Sequence, residues 1–482
     1  MQPLNLLIPL RLYAYIFFLI GTPVCIQAQN RNDLFKAPSL QQLQNLKPPE
    51  PATISPVIIG SSSQLGLVVP KNPILSSSGN SIEEMNRKIL QQHNMLSGQP
   101  NSSPAQVVQL AEIERDRIEM ERSFARNEWL QWNGNYQKAF NELNQMYAAD
   151  SFSITKAVYL IESAFLDNQI PFDNFLKAVK QRADHVKQLL KAEKLSTKND
   201  LALNYGIQQL YSRQTSYSHP VTKVNISVPR LGYDFEDFQG EKDYTKMFVT
   251  KLMLSNKGQC HSMPLFYLMI AEQLGAKAWL SLAPQHSFIQ FPDKNGNLMN
   301  FETTNGNIVS TNWLYQSGFI NASALKSKTY LDTLSQNKLY ARCLADLLLG
   351  YLDKAAYDEF AEQIRQKILA IEPDNMTALI IDANNKTYLA AARIKDAGRP
   401  PEKDLPKYPA AYKAYQDMHE AYDKIDGMGY QDMPKEAYQA WLQSIEKAKQ
   451  KQESKELKEK MQAEIDYLKS IRPKVTTHKP LG

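Results

Sequence analysis

The feature that most constrains the fold is an apolar run near the middle of the chain, from Leu265 to Ala271. Pro264 precedes the run; proline has no amide proton, so it fits the first turn of a helix, where that amide would lack a partner. Gly275 follows the run at the position where glycine commonly caps a helix C-terminus. Because the run is apolar nearly all the way round, we expect a helix that is buried on every side.

A cysteine lies at the N-terminal end of this predicted helix, in the segment Lys257-Gly258-Gln259-Cys260-His261. The thiolate is the nucleophilic form of cysteine, and it is favoured by backbone amides at a helix N-terminus and by a neighbouring imidazolium. Cys260 is therefore a candidate nucleophile. The alternative interpretation is a small buried cysteine with no chemical role.

Antiparallel strands are predicted directly after the helix, over Lys277–Leu282, His286–Phe291 and Leu298–Thr304. The last two are joined by a strong hairpin turn, Asp293-Lys294-Asn295-Gly296. A buried helix packed on an antiparallel sheet predicts an α+β fold for this part of the chain.

The predicted hairpin brings a histidine and a carboxylate together. If the loop has three residues, Thr304 lies opposite His286, and Glu302 lies one diagonal step away on the same face of the sheet. A carboxylate there would orient the imidazole, as the third member of a nucleophile–base–orienter triad does. Asn300 shares this face and is a second candidate for the orienting role.

These residues resemble the pattern of transglutaminase-like domains in the papain-like superfamily. In that family Gly-x-Cys begins a long apolar helix that a glycine ends, a histidine begins the second strand, and an Asp within Phe-Asp-Pro-Thr ends the next. This chain has Gly258-Gln259-Cys260, Gly275, His286 and Phe301-Glu302-Thr303-Thr304 in that order. Glu302 departs from the usual Asp. The resemblance covers residues 150–320 and, loosely, 340–400, as in a bacterial branch with a helical lead-in and tetratricopeptide-like helices downstream.

The resemblance implies a cysteine-dependent acyl-transfer enzyme that acts on the amides of a protein or peptide and uses no cofactor or metal. Cys260 would attack the carbonyl, His286 would relay the proton, and Glu302 would orient His286; hydrolysis and transfer both remain open. One alternative is a non-catalytic module of the same fold that binds a protein or peptide. Another is a disulfide between Cys260 and Cys343, which would remove the nucleophile.

The N-terminus has the pattern of an export signal. Arg11 precedes an apolar stretch over Leu12–Val24, and Ala28 offers a small residue for cleavage. We therefore predict a signal peptide over 1–28 and an exported product, periplasmic or secreted, that is soluble and has no integral membrane domain. An uncleaved anchor is the alternative. Residues 29–105 are rich in Pro, Ser, Asn and Gln, which predicts a flexible linker.

Helical periodicity surrounds the central segment. We predict a helical region over 106–215 that leads into the core at 216–325, further helices over 335–472, and a disordered tail over 473–482. Pro373-Asp374-Asn375 resembles the connector of a tetratricopeptide-type repeat, and a generic helical hairpin is the alternative. These C-terminal helices are a candidate surface for a protein partner.

Several polar features are assigned no chemistry. The net charge is +5, and the Lys447–Lys460 run interleaves Lys with Glu and Gln, which favours a solvated helix face over a nucleic-acid-binding patch, and we expect no nucleic-acid partner. His261 has no second His or Cys cluster beside it and is interpreted as structural. The acidic stretch 234–237 lacks the pattern of a calcium loop and is predicted to be a solvated turn. Gln259 is considered for an oxyanion pocket, a role that the Cys260 amide could fill alone.

Overall fold

The computed structural model describes residues 37–44, 131–219, 221–317, 320, 322–430, 459 and 461–467. Helices and small, mainly antiparallel sheets alternate in this part of the chain, which confirms the α+β class. The predicted signal peptide, most of the predicted linker, residues 106–130, residues 431–458 and the predicted tail lie outside the described residues.

The helices that precede the sheet are α1 (Leu40–Gln44), α2 (residues 131–148), α3 (Ile154–Phe165), α4 (Phe172–Ala192), α5 (Asp200–Ser212), α6 (Val249–Ser255) and α7 (Ser262–Leu274). Those that follow it are α8 (Thr311–Ser317), α9 (Ala322–Lys326), α10 (Gln336–Lys354), α11 (Glu359–Ile371), α12 (Met376–Asp396) and α13 (Pro409–Gly427). Two 3-10 helices cover Tyr244–Met247 and Glu402–Lys407, and residues 461–467 are also helical.

The strands are β1 (Thr215–Ser218), β2 (Asn225–Val228), β3 (Gly232–Tyr233), β4 (Lys257–Gly258), β5 (Trp279–Ala283), β6 (His286–Pro292), β7 (Leu298–Glu302) and β8 (Asn307–Val309). β1 and β2 form an antiparallel hairpin, and β3 pairs with β4 in parallel. The last four strands form one antiparallel sheet in the order β5-β6-β7-β8.

Helix α7 is the central element, and it is buried as its composition predicts. Every residue from Ser262 to Ala271 is buried, and Pro264 lies in the first turn. Gly275 ends the helix in the left-handed conformation with φ 69°, which glycine adopts without a Cβ penalty. Helices α3 to α6 and strands β5 and β6 pack around α7.

The hairpin of β6 and β7 has the register predicted from the sequence. Gln290 lies opposite Asn300, and the Asp293 amide donates to the Asn297 carbonyl at 2.8 Å. Gly296, with φ 84°, takes the left-handed position of the three-residue loop. The predicted hairpin is therefore confirmed, although β7 ends at Glu302 and not at Thr304.

The two faces of this sheet have different neighbours. Leu280, Ile289 and Phe301 belong to the large core around α7. The opposite face carries Phe288 and Val309, which pack in a smaller cluster with Leu314, Ile320, Ala324 and Tyr330. His286 and Glu302 alternate in step with Phe288 and thus belong to this second face.

Two carboxylates connect helix α3 with helices α6 and α7. Glu272, near the end of α7, accepts the amides of Ile154 and Thr155 at 2.9 and 3.1 Å. Glu162, from α3, accepts the amide of Thr250 at 2.9 Å at the start of α6. Each carboxylate satisfies helix N-terminal amides that would otherwise lack partners.

The C-terminal hairpin, which consists of α12 and α13, has its own apolar cluster. Leu40 and Leu43 of α1 are buried in it, and the Gln44 side chain donates to the Pro400 carbonyl at 3.1 Å. The linker prediction therefore does not hold for residues 37–44. Ser39 and Gln42 cap α1 reciprocally, a sequence signal that the composition of the surrounding stretch obscured.

None of the helices in the described ranges is both long enough and apolar enough to cross a membrane.

Candidate active site

Cys260 lies two residues before α7 and two residues after Gly258, where the short pairing of β3 with β4 ends. Its sulfur is 3.7 Å from the Gln285 carbonyl, and its own carbonyl accepts the Ser287 hydroxyl at 2.5 Å. The Cys260 side chain is 7% exposed. These contacts fix the N-terminus of α7 against the beginning of β6.

His286 begins β6 because the turn that precedes it is short. Ala283 lies opposite His286, so that Pro284 and Gln285 alone connect β5 and β6. Gln285 follows proline and adopts the left-handed conformation with φ 53°, as the second central residue of a type II turn does. The imidazole thus emerges at the end of the sheet that faces the start of α7.

Glu302 contacts His286 as predicted. The His286 Nε2 atom is 2.7 Å from Glu302 Oε2, and both side chains are fully buried. The other carboxylate oxygen of Glu302 accepts the amide and the hydroxyl of Thr304 at 3.0 and 2.8 Å. The carboxylate is therefore held on both sides, with one oxygen directed to the imidazole.

Asn300, the other candidate for orienting His286, is engaged elsewhere. Its Oδ1 accepts the Gln290 side-chain amide at 3.0 Å, and its Nδ2 donates to the Thr311 hydroxyl at 2.9 Å. Of the two candidates, Glu302 is the one in contact with the imidazole.

The electrostatics of the site favour a charged histidine. Burial by itself lowers the pKa of His286, but the Glu302 carboxylate opposes this, as do hydrogen bonding and charge interaction with the Cys260 side chain. Together they raise the pKa of His286 to about 9. At neutral pH the site therefore holds an imidazolium that contacts the Glu302 carboxylate and the Cys260 side chain.

Cys343, the other cysteine among the described residues, differs from Cys260 in its environment. Cys260 and Cys343 are both free thiols, so the bridge considered between them is not formed. Cys343 lies in α10 at 1% exposure, and burial is the main cause that raises the pKa of its thiol. An apolar, buried thiol of this kind is a poor nucleophile.

Gln259 holds a loop and does not line an oxyanion pocket. Its side-chain nitrogen lies 3.3, 3.3 and 3.4 Å from the carbonyls of Asp234, Glu236 and Asp237. The loop over residues 234–237, predicted to be a solvated turn, is thus attached to the residue that precedes Cys260. The Cys260 backbone amide is the remaining oxyanion donor among those considered.

His261 has structural contacts. Its Nδ1 atom is 3.1 Å from the Arg342 guanidinium, and its Nε2 atom is 3.6 Å from the Asp346 carboxylate. Burial is the main cause that lowers the pKa of His261. In the described ranges, no three His, Cys, Asp or Glu side chains are grouped so that they could hold a metal ion.

Sequence reasoning missed two positioning groups, Ser287 and the Thr304 hydroxyl. Ser287 alternates with His286 and therefore points to the opposite face, toward α7. The alternation was visible in the sequence, but no pattern indicated that the hydroxyl would bond to the Cys260 carbonyl.

Comparisons of the chain with family models, with curated proteins and with solved structures found no match in any of the three.

Proposed function

We propose that the protein is a transglutaminase-like, cysteine-dependent acyl-transfer enzyme that acts on peptide or side-chain amides. The observation that carries the proposal is the 2.7 Å contact between His286 and Glu302, on an imidazole that also interacts with Cys260. The order of these residues in the sequence, at the start of a buried helix and on a hairpin, supports it further. Export of the mature chain from about residue 29 is part of the proposal and is tested by N-terminal sequencing.

The proposed chemistry uses the three side chains in sequence. The Cys260 thiolate attacks the amide carbonyl, and the Cys260 backbone amide stabilises the resulting oxyanion. As the carbon–nitrogen bond breaks, the His286 imidazolium gives its proton to the leaving amine, which leaves a thioester on Cys260. Water or a second amine then attacks the thioester and gives a proton to neutral His286, while the carbon–sulfur bond breaks. Glu302 remains a carboxylate throughout and stabilises the charged imidazole.

A non-catalytic binding module is the second candidate, and one observation favours it. The residues of the site are deeply buried, with Cys260 at 7%, His286 at 4% and Glu302 at 0% exposure. A module of this kind would keep the triad as a structural network and would bind a protein or peptide elsewhere, for example on the C-terminal hairpin.

Thiol reactivity separates the two candidates. With iodoacetamide at mildly acidic pH, we expect Cys260 to be alkylated quickly and Cys343 to serve as the slow internal reference. His286→Ala should slow alkylation of Cys260 by at least about tenfold, because the imidazolium that favours the thiolate is gone. Peptide mass mapping gives both rates in one sample. Slow alkylation of both cysteines in the folded protein would count against the enzyme and for the binding module.

Activity provides the direct test. Transfer of a fluorescent primary amine to a glutamine-containing protein, or release of ammonia from it, should be lost in Cys260→Ala and His286→Ala. The matched control is Cys343→Ala, which removes the other thiol among the described residues and should retain full activity.

A further inference from the structure

A parallel strand pairing ends just before the nucleophile, and the loop that follows its other strand carries an aromatic residue. Gly232 pairs with Lys257, and Tyr233 pairs with Gly258. The Asp234 amide closes this pairing by donating to the Gly258 carbonyl at 2.8 Å. Phe235 and Cys260 each follow the last pair by two residues, and the side chain of Gln259, next to Cys260, bonds to the carbonyls on both sides of Phe235.

The loop that carries Phe235 is held in one conformation by its own contacts. The Gln259 side chain bonds to the carbonyls on both sides of Phe235. The Asp237 carboxylate accepts the backbone amides of residues 241–243 at 2.8 to 3.0 Å. Phe238 is buried at 5% exposure and anchors the end of the loop. A surface fixed in this way binds a ligand without first losing conformational entropy.

Phe235 is the apolar group that this loop presents to solvent. Its side chain is 52% exposed, and its ring packs edge-to-face on Tyr233 with centroids 4.8 Å apart. The acidic neighbours already have partners, since Asp234 pairs with Lys251 and Glu236 pairs with Lys246. At this edge of the site, an apolar group of a ligand should therefore bind better than a cationic group, because the carboxylates already have partners.

We infer that Phe235, supported by Tyr233, forms a binding subsite for an apolar or aromatic side chain next to the reacting carbonyl of the substrate. The inference rests on the proposed function and adds a substrate class to it. Amide substrates with an apolar residue beside the reacting amide should be preferred over those with a charged residue there.

Two alkylating reagents test the subsite without knowledge of the substrate. Iodoacetamide and N-benzyl-2-iodoacetamide both form a sulfur–carbon bond as the carbon–iodine bond breaks and iodide leaves, so that the second differs from the first by an apolar ring. The rate constant of each is measured at Cys260 in the full chain by peptide mass mapping. Glutathione gives the ratio of the two rates for a thiol without a subsite.

We measure the ratio of the rate constant with the benzyl reagent to that with iodoacetamide. At Cys260 of the wild-type chain we expect this ratio to exceed the glutathione ratio roughly three- to tenfold. Phe235→Ser should return the ratio to that of glutathione. Phe235→Leu keeps an apolar side chain and should give an intermediate ratio. Leu389→Ser is the matched control, because Leu389 is an equally exposed apolar side chain, at 50%, on the C-terminal hairpin.

The outcomes that would overturn the inference are distinct from those that would overturn the function. If Phe235→Ser keeps the wild-type ratio while Cys260 is still labelled rapidly and in a His286-dependent way, the subsite is refuted and the proposed function is not. Slow labelling by both reagents, with no effect of His286→Ala, removes the function and the subsite together.

Discussion

The central helix α7 and the C-terminal hairpin are both well packed, but they are specified in different ways. Around α7, single residues at fixed positions set the geometry: Pro264 in the first turn, Gly275 at the end, and Gly296 in the neighbouring hairpin. In α12 and α13, the helical spacing of apolar residues and one capping side chain are enough to specify the packing. Asn375 supplies the cap, because its side chain accepts the Ala378 amide at 3.0 Å.

The difference indicates which positions in such a chain are candidates for a functional site. Positions that depend on one residue type hold side chains in fixed relation to each other, as Cys260, His286 and Glu302 are held. Positions that depend on periodicity alone tolerate exchange among apolar residues, because total volume and patterning are what they require. The predictions below test this contrast from the largest expected effect to the smallest.

The strongest test deletes one large buried side chain in each region. Phe266→Ala in α7 and Ile425→Ala in α13 both remove fully buried groups and should lower the free energy of unfolding by ~2–5 kcal/mol. Only the α7 variant should also slow alkylation of Cys260, because it loosens the helix whose N-terminus holds the thiol. Urea denaturation and mass mapping measure the two effects, and the exposed Leu389→Ala is the control. Equal slowing by both variants would show that the regions are not independent.

The second prediction concerns the charge on His286. Its folded pKa of about 9 lies above the ordinary value of 6.5, so the ion pair stabilises the fold fully below about pH 6.5 and this contribution is lost as pH rises through about 9. Glu302→Gln keeps the shape and removes the carboxylate, so the pKa of His286 should fall. Titration of the His286 ring by NMR measures the change, and alkylation of Cys260 above neutral pH should slow with it.

Asn300→Ala is the matched variant for that titration, because Asn300 shares the face of Glu302 but does not contact the imidazole. The pKa of His286 should stay near its wild-type value in Asn300→Ala. A fall as large as that in Glu302→Gln would mean that the Gln290–Asn300–Thr311 network also positions the histidine.

Much of the centre could be predicted because its signals are local. The hairpin register follows from the turn over Asp293–Gly296, and that register places Glu302 on the face of His286. The attachment of the acidic loop to Gln259 could not be predicted, because it joins residues about 25 positions apart through backbone carbonyls that carry no sequence signal. The docking of α1 on the C-terminal hairpin was missed for a similar reason, since α1 packs against helices that lie far along the chain.

The third prediction tests how firmly α1 is attached. Leu43→Ala removes one of two buried leucines and with it roughly 1.5–3 kcal/mol of apolar burial. Because α1 is a short element, we expect it to detach while the rest of the fold stays intact. Amide hydrogen exchange at residues 40–44 should accelerate, and alkylation of Cys260 should not change. Gln41→Ala, on the exposed side of α1, is the control.

The smallest effect uses one glycine from each region. Gly296, in the hairpin of β6 and β7, and Gly398, after α12, have φ values of 84° and 81°, and an added Cβ would meet no atom within 4 Å at either position. Replacement by alanine should therefore cost the same at both, roughly 1–2 kcal/mol of left-handed backbone strain. Thermal unfolding of the two variants measures this cost.

The two glycine variants differ in whether the turn connects strands that carry residues of the candidate active site. Gly296 lies between the strands that carry His286 and Glu302, and a slip of one residue there would turn Glu302 to the opposite face and remove it from the imidazole. We expect the ladder from Ile289 with Phe301 to Pro292 with Leu298 to hold the register, so that alkylation of Cys260 proceeds at the same rate in both variants. A collapse of alkylation in Gly296→Ala alone would show that the turn, and not the strand pairing, sets the register. In that case the geometry of the site would depend on a single left-handed residue.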